Sequence, residues 1–322
     1  RFGLGASALL VAPRSRAAAR DGMRVVGVLE YASRADFEEE LSHFKAGLLE
    51  GGFEESRNVR FEYRFADYDH HKLERLAGEL VRAKVDVIYA PITWAVYGAQ
   101  AATKTIPIVF SGVNDPVHVK IVKSLSRPGG NITGISAASG ELTAKRVQLM
   151  REAFPHPRDL GVVYDEDSAR ACDLELSQIT DAGKQLGMGL RFLPYTEKAD
   201  LEQAFSTAQR SNVAALLVPT TYESRRFRAE LLAASSESGV PLVHADRRPV
   251  VAGGLMSYGP LFGWAARRAG IYVARILNGA KPAELPIEQP TTYELVINLK
   301  AARAMGISIS PAIVLRADHV IE

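Results

Sequence analysis

One cysteine, Cys172, stands among 322 residues, so no internal disulfide can form. No uninterrupted apolar stretch reaches the ~20 residues that a bilayer-spanning helix needs. The net charge is only +2 and no long basic run occurs, which argues against nucleic acid as a partner. Three catalytic signatures are missing: the G-x-S-x-G elbow, the H-E-x-x-H helix and the G-x-x-x-x-G-K-[ST] phosphate loop. Cys172 has no local signature around it and reads as a structural thiol. His70 and His71 are adjacent and cannot share one helix face, so they read as part of a polar loop after Asp69. The carboxylates are scattered rather than paired. Neither catalysis nor a cofactor nor a metal is expected.

What is present is a repeated motif. Val85–Pro91 (VDVIYAP) is followed by Ile106–Phe110 (IPIVF), and Val213–Pro219 (VAALLVP) by Val240–His244 (VPLVH). Short apolar runs of this kind suit parallel strands buried on both faces. Each pair is spaced for one crossover helix. The expected fold class is α/β: two Rossmann-like lobes with parallel sheets, joined by a three-strand hinge. The cleft between the lobes is the natural place for a small molecule. An apolar content of 47% and a charged content of 24% fit a globular protein of two domains. Residues 1–20 differ from the rest. RFGLGASALLVAP, then Arg14, Arg16 and Ala17–Ala19, reads either as the remnant of an export signal or as an N-terminal extension.

Periodicity places the elements. Arg24–Glu30 reads as the first strand, and Phe37, Leu41, Phe44 and Leu48 as one helix face stopped by Gly51-Gly52. Val59–Phe65 alternates apolar and charged residues, which fits a strand near an edge with one wet face. The second half repeats the order, with strands at Leu160–Tyr164, Leu190–Leu193, Val213–Val218, Val240–His244, Gly253–Tyr258 and Tyr293–Asn298. Phe262, Ala266, Ala269, Val273 and Leu277 draw a long helical stripe, and Pro282, Pro286 and Pro290 an extended segment. Three crossings follow. They give a first lobe of 21–134 plus 259–288 and a second of 135–258 plus 289–322.

Several segments carry a resemblance. They include Thr105–Phe110 (TIPIVF), Asp115–Val117 (DPV), Arg127–Gly134 (RPGGNITG) and Gly253–Gly259 (GGLMSYG). Ile276–Pro282 (ILNGAKP), Leu285–Pro290 (LPIEQP) and Glu294–Lys300 (ELVINLK) match as well. In this order the segments resemble the ABC-transporter substrate-binding proteins of the tryptophan/tyrosine-binding type, over nearly everything from Arg24 to Glu322. The resemblance implies a type I periplasmic-binding-protein fold and export to the periplasm. It also implies delivery of a small solute to a membrane ABC permease. A monomer is expected.

Ligands of open α/β sheets meet the loops at the carboxyl ends of strands. In the first lobe these loops hold Tyr31, then Thr93 and Trp94, then Ser111, Asn114 and Asp115. In the second they hold Thr220, Thr221, Tyr222 and Asp246, with Tyr258 at a crossing. Tyr31 and Trp94 either stack on a ligand or cap the core. Thr93 either caps a helix or, with the N–H groups of the helix start, holds a carboxylate. Asn114-Asp115-Pro116 has the composition of a structural turn. Asp246 either pairs with Arg247 or Arg248 or receives a ligand ammonium. Relatives often carry an acidic residue where this chain reads Pro219-Thr-Thr-Tyr222, and small residues where it has Trp94. The expected ligand is therefore an aromatic or apolar carboxylate, with an aromatic amino acid as the family's usual alternative. A ligand-sensing domain that feeds a signalling partner is the rival reading, with an enzyme of unrecognised type behind it.

Overall fold

The computed structural model describes residues 22–137, 140–154, 159–166, 169–219, 226–261 and 263–322. The export-like stretch 1–20 and the expected ligand residues Thr220, Thr221 and Tyr222 lie outside them. The first run of elements is β1 (Arg24–Glu30), α1 (Arg34–Glu50), β2 (Val59–Phe65), α2 (Leu73–Arg82), β3 (Val87–Tyr89), α3 (Thr93–Ala102), β4 (Ile108–Val113) and β5 (Ile132–Ser136). The second is α4 (Gly140–Ala153), β6 (Leu160–Asp165), α5 (Ala169–Gln185), β7 (Leu190–Tyr195), α6 (Lys198–Arg210), β8 (Leu216–Leu217), α7 (Arg228–Ser238), β9 (Leu242–His244), α8 (Arg248–Val251) and β10 (Met256–Pro260). The chain closes with α9 (Trp264–Leu277), β11 (Tyr293–Asn298), α10 (Leu299–Ala304), α11 (Pro311–Val314) and β12 (His319–Ile321).

The strands form two sheets, ordered β2-β1-β3-β4-β5 and β12-β11-β10-β9-β8-β6-β7. Every pair in the first sheet is parallel. The second is parallel except where β10 meets β11. Residues of β1 explain the layering. Val25 and Leu29 face one apolar core, under α2 and α3, while Val26 and Val28 face another, under α1 and α9. A strand covered on both sides has no wet face to encode, hence its continuous apolar run. β2 stands at the edge as its alternation foretold. Its inner rings stack along the strand, Phe61 on Tyr63 at 5.5 Å and Tyr63 on Phe65 at 6.1 Å.

The chain leaves the first sheet after Ser136 and returns after Pro260 to lay α9 against α1. It crosses again after Glu288, whose backbone pairs with Ile135 at the end of β5. The Glu288 carboxylate accepts from Arg268 Nε at 2.7 Å and Nη2 at 2.5 Å, and from the Tyr272 hydroxyl at 3.0 Å. Burial pushes this carboxyl up, but the Arg268 hydrogen bonds outweigh it and hold the group below its usual value. The third crossing is thereby anchored to α9.

Contact between α1 and α9 depends on glycine. A Cβ on Gly47 would lie 1.8 Å from the Arg267 carbonyl oxygen, and one on Gly270 would lie 2.1 Å from that of Phe44. The helices therefore touch backbone to backbone. Gly47→Ala is expected to cost about 1–3 kcal/mol through overpacking. Gly78→Ala is the control. Its Cβ meets only Arg82 Nη1 at 3.5 Å, and it should gain roughly 0.5–1 kcal/mol from helix propensity. Thermal unfolding of the two variants checks the difference.

Candidate ligand-binding site

The carboxyl ends of β1, β3 and β4 bring the first-sheet loops to one edge. Tyr31 follows β1, is 5% exposed and packs edge-on against Tyr68 at 5.6 Å. Trp94 lies in the first turn of α3, half-buried, stacked on His70 at 5.0 Å and edge-on to Tyr97 at 6.0 Å. Tyr97 in turn donates to the carbonyl of Val119 at 3.0 Å, tying α3 to the loop after β4. The result is a shelf of aromatic faces on the first lobe: Tyr31, Tyr68, His70, Trp94 and Tyr97. Sequence reasoning missed Tyr68, His70 and Tyr97. The loop after β2 carries a signal, Tyr68 beside two histidines, whereas the sequence pattern assigns the histidines only to a polar loop. Asp69 caps the short helical turn His70–Lys72 through His71 N, and that turn lays the His70 ring on Trp94.

Thr93 is not the cap of α3. Ile92 occupies that position and supplies no side-chain acceptor, which leaves the first-turn N–H groups without a side-chain partner. Asn114 accepts from the Ser136 hydroxyl through its backbone carbonyl at 2.7 Å, while its side-chain Oδ1 is buried without a partner. Two of the expected residues are engaged elsewhere. The Ser111 side chain is 3% exposed, with its hydroxyl 2.7 Å from that of Tyr89, whose ring stacks on Phe44 at 3.9 Å in the core. The Asp115 carboxylate accepts from Val117 N at 3.0 Å and His118 N at 2.9 Å, as a structural turn requires.

In the second lobe the Asp246 carboxylate accepts from Arg248 at the backbone N (2.9 Å), Nε (3.0 Å) and Nη2 (3.1 Å). Arg247 reaches instead for Glu294 at 3.4 Å. Tyr258 packs against the core beneath α4 with its ring 6.1 Å from that of Tyr293. Burial, together with Tyr293 and Asp318, pushes its phenol up. The lobes meet where His118, after β4, lies 3.5 Å from Asp173 on α5. Among the described residues no group of three or more His, Cys, Asp or Glu could hold a metal ion. None of their helices is long and apolar enough to cross a membrane. A separate cavity of about 550 Å³ lies at the other end of the second sheet, lined by Phe154, Asn212, Val240 and Ile307 among others, and includes no expected ligand residue.

The arrangement offers flat π surfaces, an acceptor at Asn114 and the open N-terminus of α3, which together suit an aromatic body with a polar end. A curated tyrosine-binding protein of Clostridioides difficile (strain R20291) is 24% identical over 280 residues, 87% of this chain and 80% of that protein. A conserved domain protein from Vibrio cholerae superposes with a TM-score of 0.86 at 28% identity, over 92% of this chain and 99% of the other. An ABC domain from Streptococcus pneumonia, solved in complex with L-Trp, gives 0.85 at 24% identity, over 93% and 100%. The fold is thus that of the two-lobed type I periplasmic binding proteins. The family model for ABC transporter substrate binding protein matches residues 25–321, and this chain belongs to that family.

Proposed function

We propose that the protein binds an aromatic carboxylate or an aromatic amino acid between its lobes and delivers it, outside the cytoplasm, to an ABC permease. The aromatic shelf at the ends of β1, β2 and β3 carries this reading, with Trp94 stacked on His70 at its centre. A π surface favours a planar apolar body, and the phenol and imidazole groups around it add hydrogen bonds. The tyrosine-binding relative and the L-Trp complex support the same ligand class. The first lobe comprises 21–134 plus 259–288 and the second 135–258 plus 289–322. The protein acts as a monomer, and ligand contacts with both lobes shift it to a closed form that the permease engages.

A thermal-shift screen against amino acids, aromatic acids, sugars and short organic acids tests the ligand class. A ligand at 100 times its Kd stabilises the fold by about 2.7 kcal/mol, which is several degrees. Hits confined to sugars would sink the reading. Trp94→Ala is expected to weaken binding of the best aromatic hit by about tenfold, which is about 1.4 kcal/mol. The chain has only two tryptophans, so ligand-induced fluorescence changes should largely vanish in Trp94→Phe. Scattering tests closure, since an unchanged radius of gyration at saturation would exclude it.

A further inference from the structure

In the second sheet His244, the last residue of β9, stands in register with Ser257 on the parallel neighbour β10. Registered residues of parallel neighbours project from the same face of a sheet. His244 is 5% exposed and Ser257 1%. His244 Nε2 and Ser257 Oγ are both buried, and neither has a hydrogen-bond partner. Two orphaned polar atoms on adjoining strands demand an explanation, because buried hydrogen-bonding groups are nearly always paired. Their position supplies one. They lie at the carboxyl end of β9, next to the loop that carries Asp246, where ligands of this architecture bind.

Which group fits the pair follows from its chemistry. Burial, assisted by Arg228 and opposed by Asp246, lowers the pKa of His244 to about 4, so the imidazole is neutral at physiological pH. A neutral imidazole and a hydroxyl can each donate or accept, and neither offers a full charge to balance an ion. A carboxylate or ammonium would be stripped of water there without a counter-charge. A neutral group that both donates and accepts would satisfy both atoms at once.

We propose that His244 and Ser257 form the hydrogen-bonding seat of the ligand pocket and select aromatic ligands that carry a phenolic hydroxyl. This rests on the aromatic-ligand reading above and adds the residues that discriminate within that class. A site built to pair a hydroxyl rejects the analogue lacking it, because its own buried groups are then left unpaired.

The test compares L-tyrosine with L-phenylalanine, and 4-hydroxyphenylacetate with phenylacetate, by calorimetry on wild type, Ser257→Ala and His244→Leu. Wild type should prefer the hydroxylated member of at least one pair by tenfold or more. Each variant should lose most of that preference by weakening the hydroxylated ligand alone. Thermal midpoints decide whether the role is structural. Removing an orphaned polar group should leave the midpoint unchanged or raise it, whereas loss of a structural hydrogen bond would lower it. Should His244→Leu fail to fold, Ser257→Ala, which removes one oxygen, carries the test alone. Equal affinity within each pair in wild type, or a preference that survives in the variants, overturns the proposal and leaves the aromatic-ligand reading standing. Binding of none of the four would count against that reading instead.

Discussion

Replacing Arg146 by methionine is expected to cost about 3–5 kcal/mol of folding stability, the largest single-residue effect on the fold. Arg146 sits in α4 with no exposed side-chain surface. It donates from Nη1 to Glu175 on α5 at 2.7 Å and from Nε to the Tyr258 carbonyl at 3.0 Å. The guanidinium thus pins two helices of the second lobe to the strand that leads into the second crossing. Methionine fills similar space but leaves the buried Glu175 carboxylate without its cation, and the desolvation penalty is no longer offset. Arg146→Met with Glu175→Leu should recover most of the loss, because two apolar groups of matching size replace the buried pair. Urea unfolding of the single and double variants measures the coupling. A loss below 1 kcal/mol in the single variant would show that the ion pair merely fills space.

Acidification is the second large effect. His244 has a folded-state pKa lowered to about 4, against about 6.5 unfolded. Above pH 6.5 the ring is neutral in both states and contributes no pH dependence. As pH falls below 6.5 the unfolded chain takes up the proton while the native ring stays neutral until about pH 4. Stability is therefore lost across that window, by about 3 kcal/mol in total, and the loss levels off below it. His244→Leu should flatten the pH 6.5–4 segment of the stability profile by that amount. Glu288 is distinguishable, because its lowered carboxyl acts only when pH falls through the acidic carboxylate range. A variant profile parallel to wild type would show that His244 titrates normally.

These two groups illustrate what a sequence can and cannot disclose. The strands β1, β3, β4, β6 and β9 were legible because burial on both faces demands unbroken apolar runs. The edge strand β2 was legible because one wet face demands alternation. β5 was not, since Ile132-Thr-Gly-Ile-Ser136 reads as the end of a turn. Its Gly134 has a hidden reason, as a Cβ there would lie 2.4 Å from the Phe110 carbonyl oxygen. The antiparallel pairing of β10 with β11 was also invisible, because composition carries no strand direction. For the site, topology named loops but not the direction of each side chain. Ser111 turned inward to Tyr89, and Asp115 and Asp246 were spent on local hydrogen bonds. His70 was legible only as chemistry without a place, until the fold laid it on Trp94.

The backbone contact between α1 and α9 has a consequence for how the molecule is made. The first sheet is complete by Ser136, yet one of its two apolar cores needs α9, which begins at Trp264. At about 5–20 residues per second, a ribosome takes roughly 8–30 seconds to travel from the end of β5 to Glu288. Through that interval Val109 on β4 and Ile135 on β5, which share that core, lack the helix that packs over their strands. The nascent first lobe is thus a sticky, half-built object, and a chaperone that holds it until the last helices emerge would find its binding surface on the face where α9 later docks.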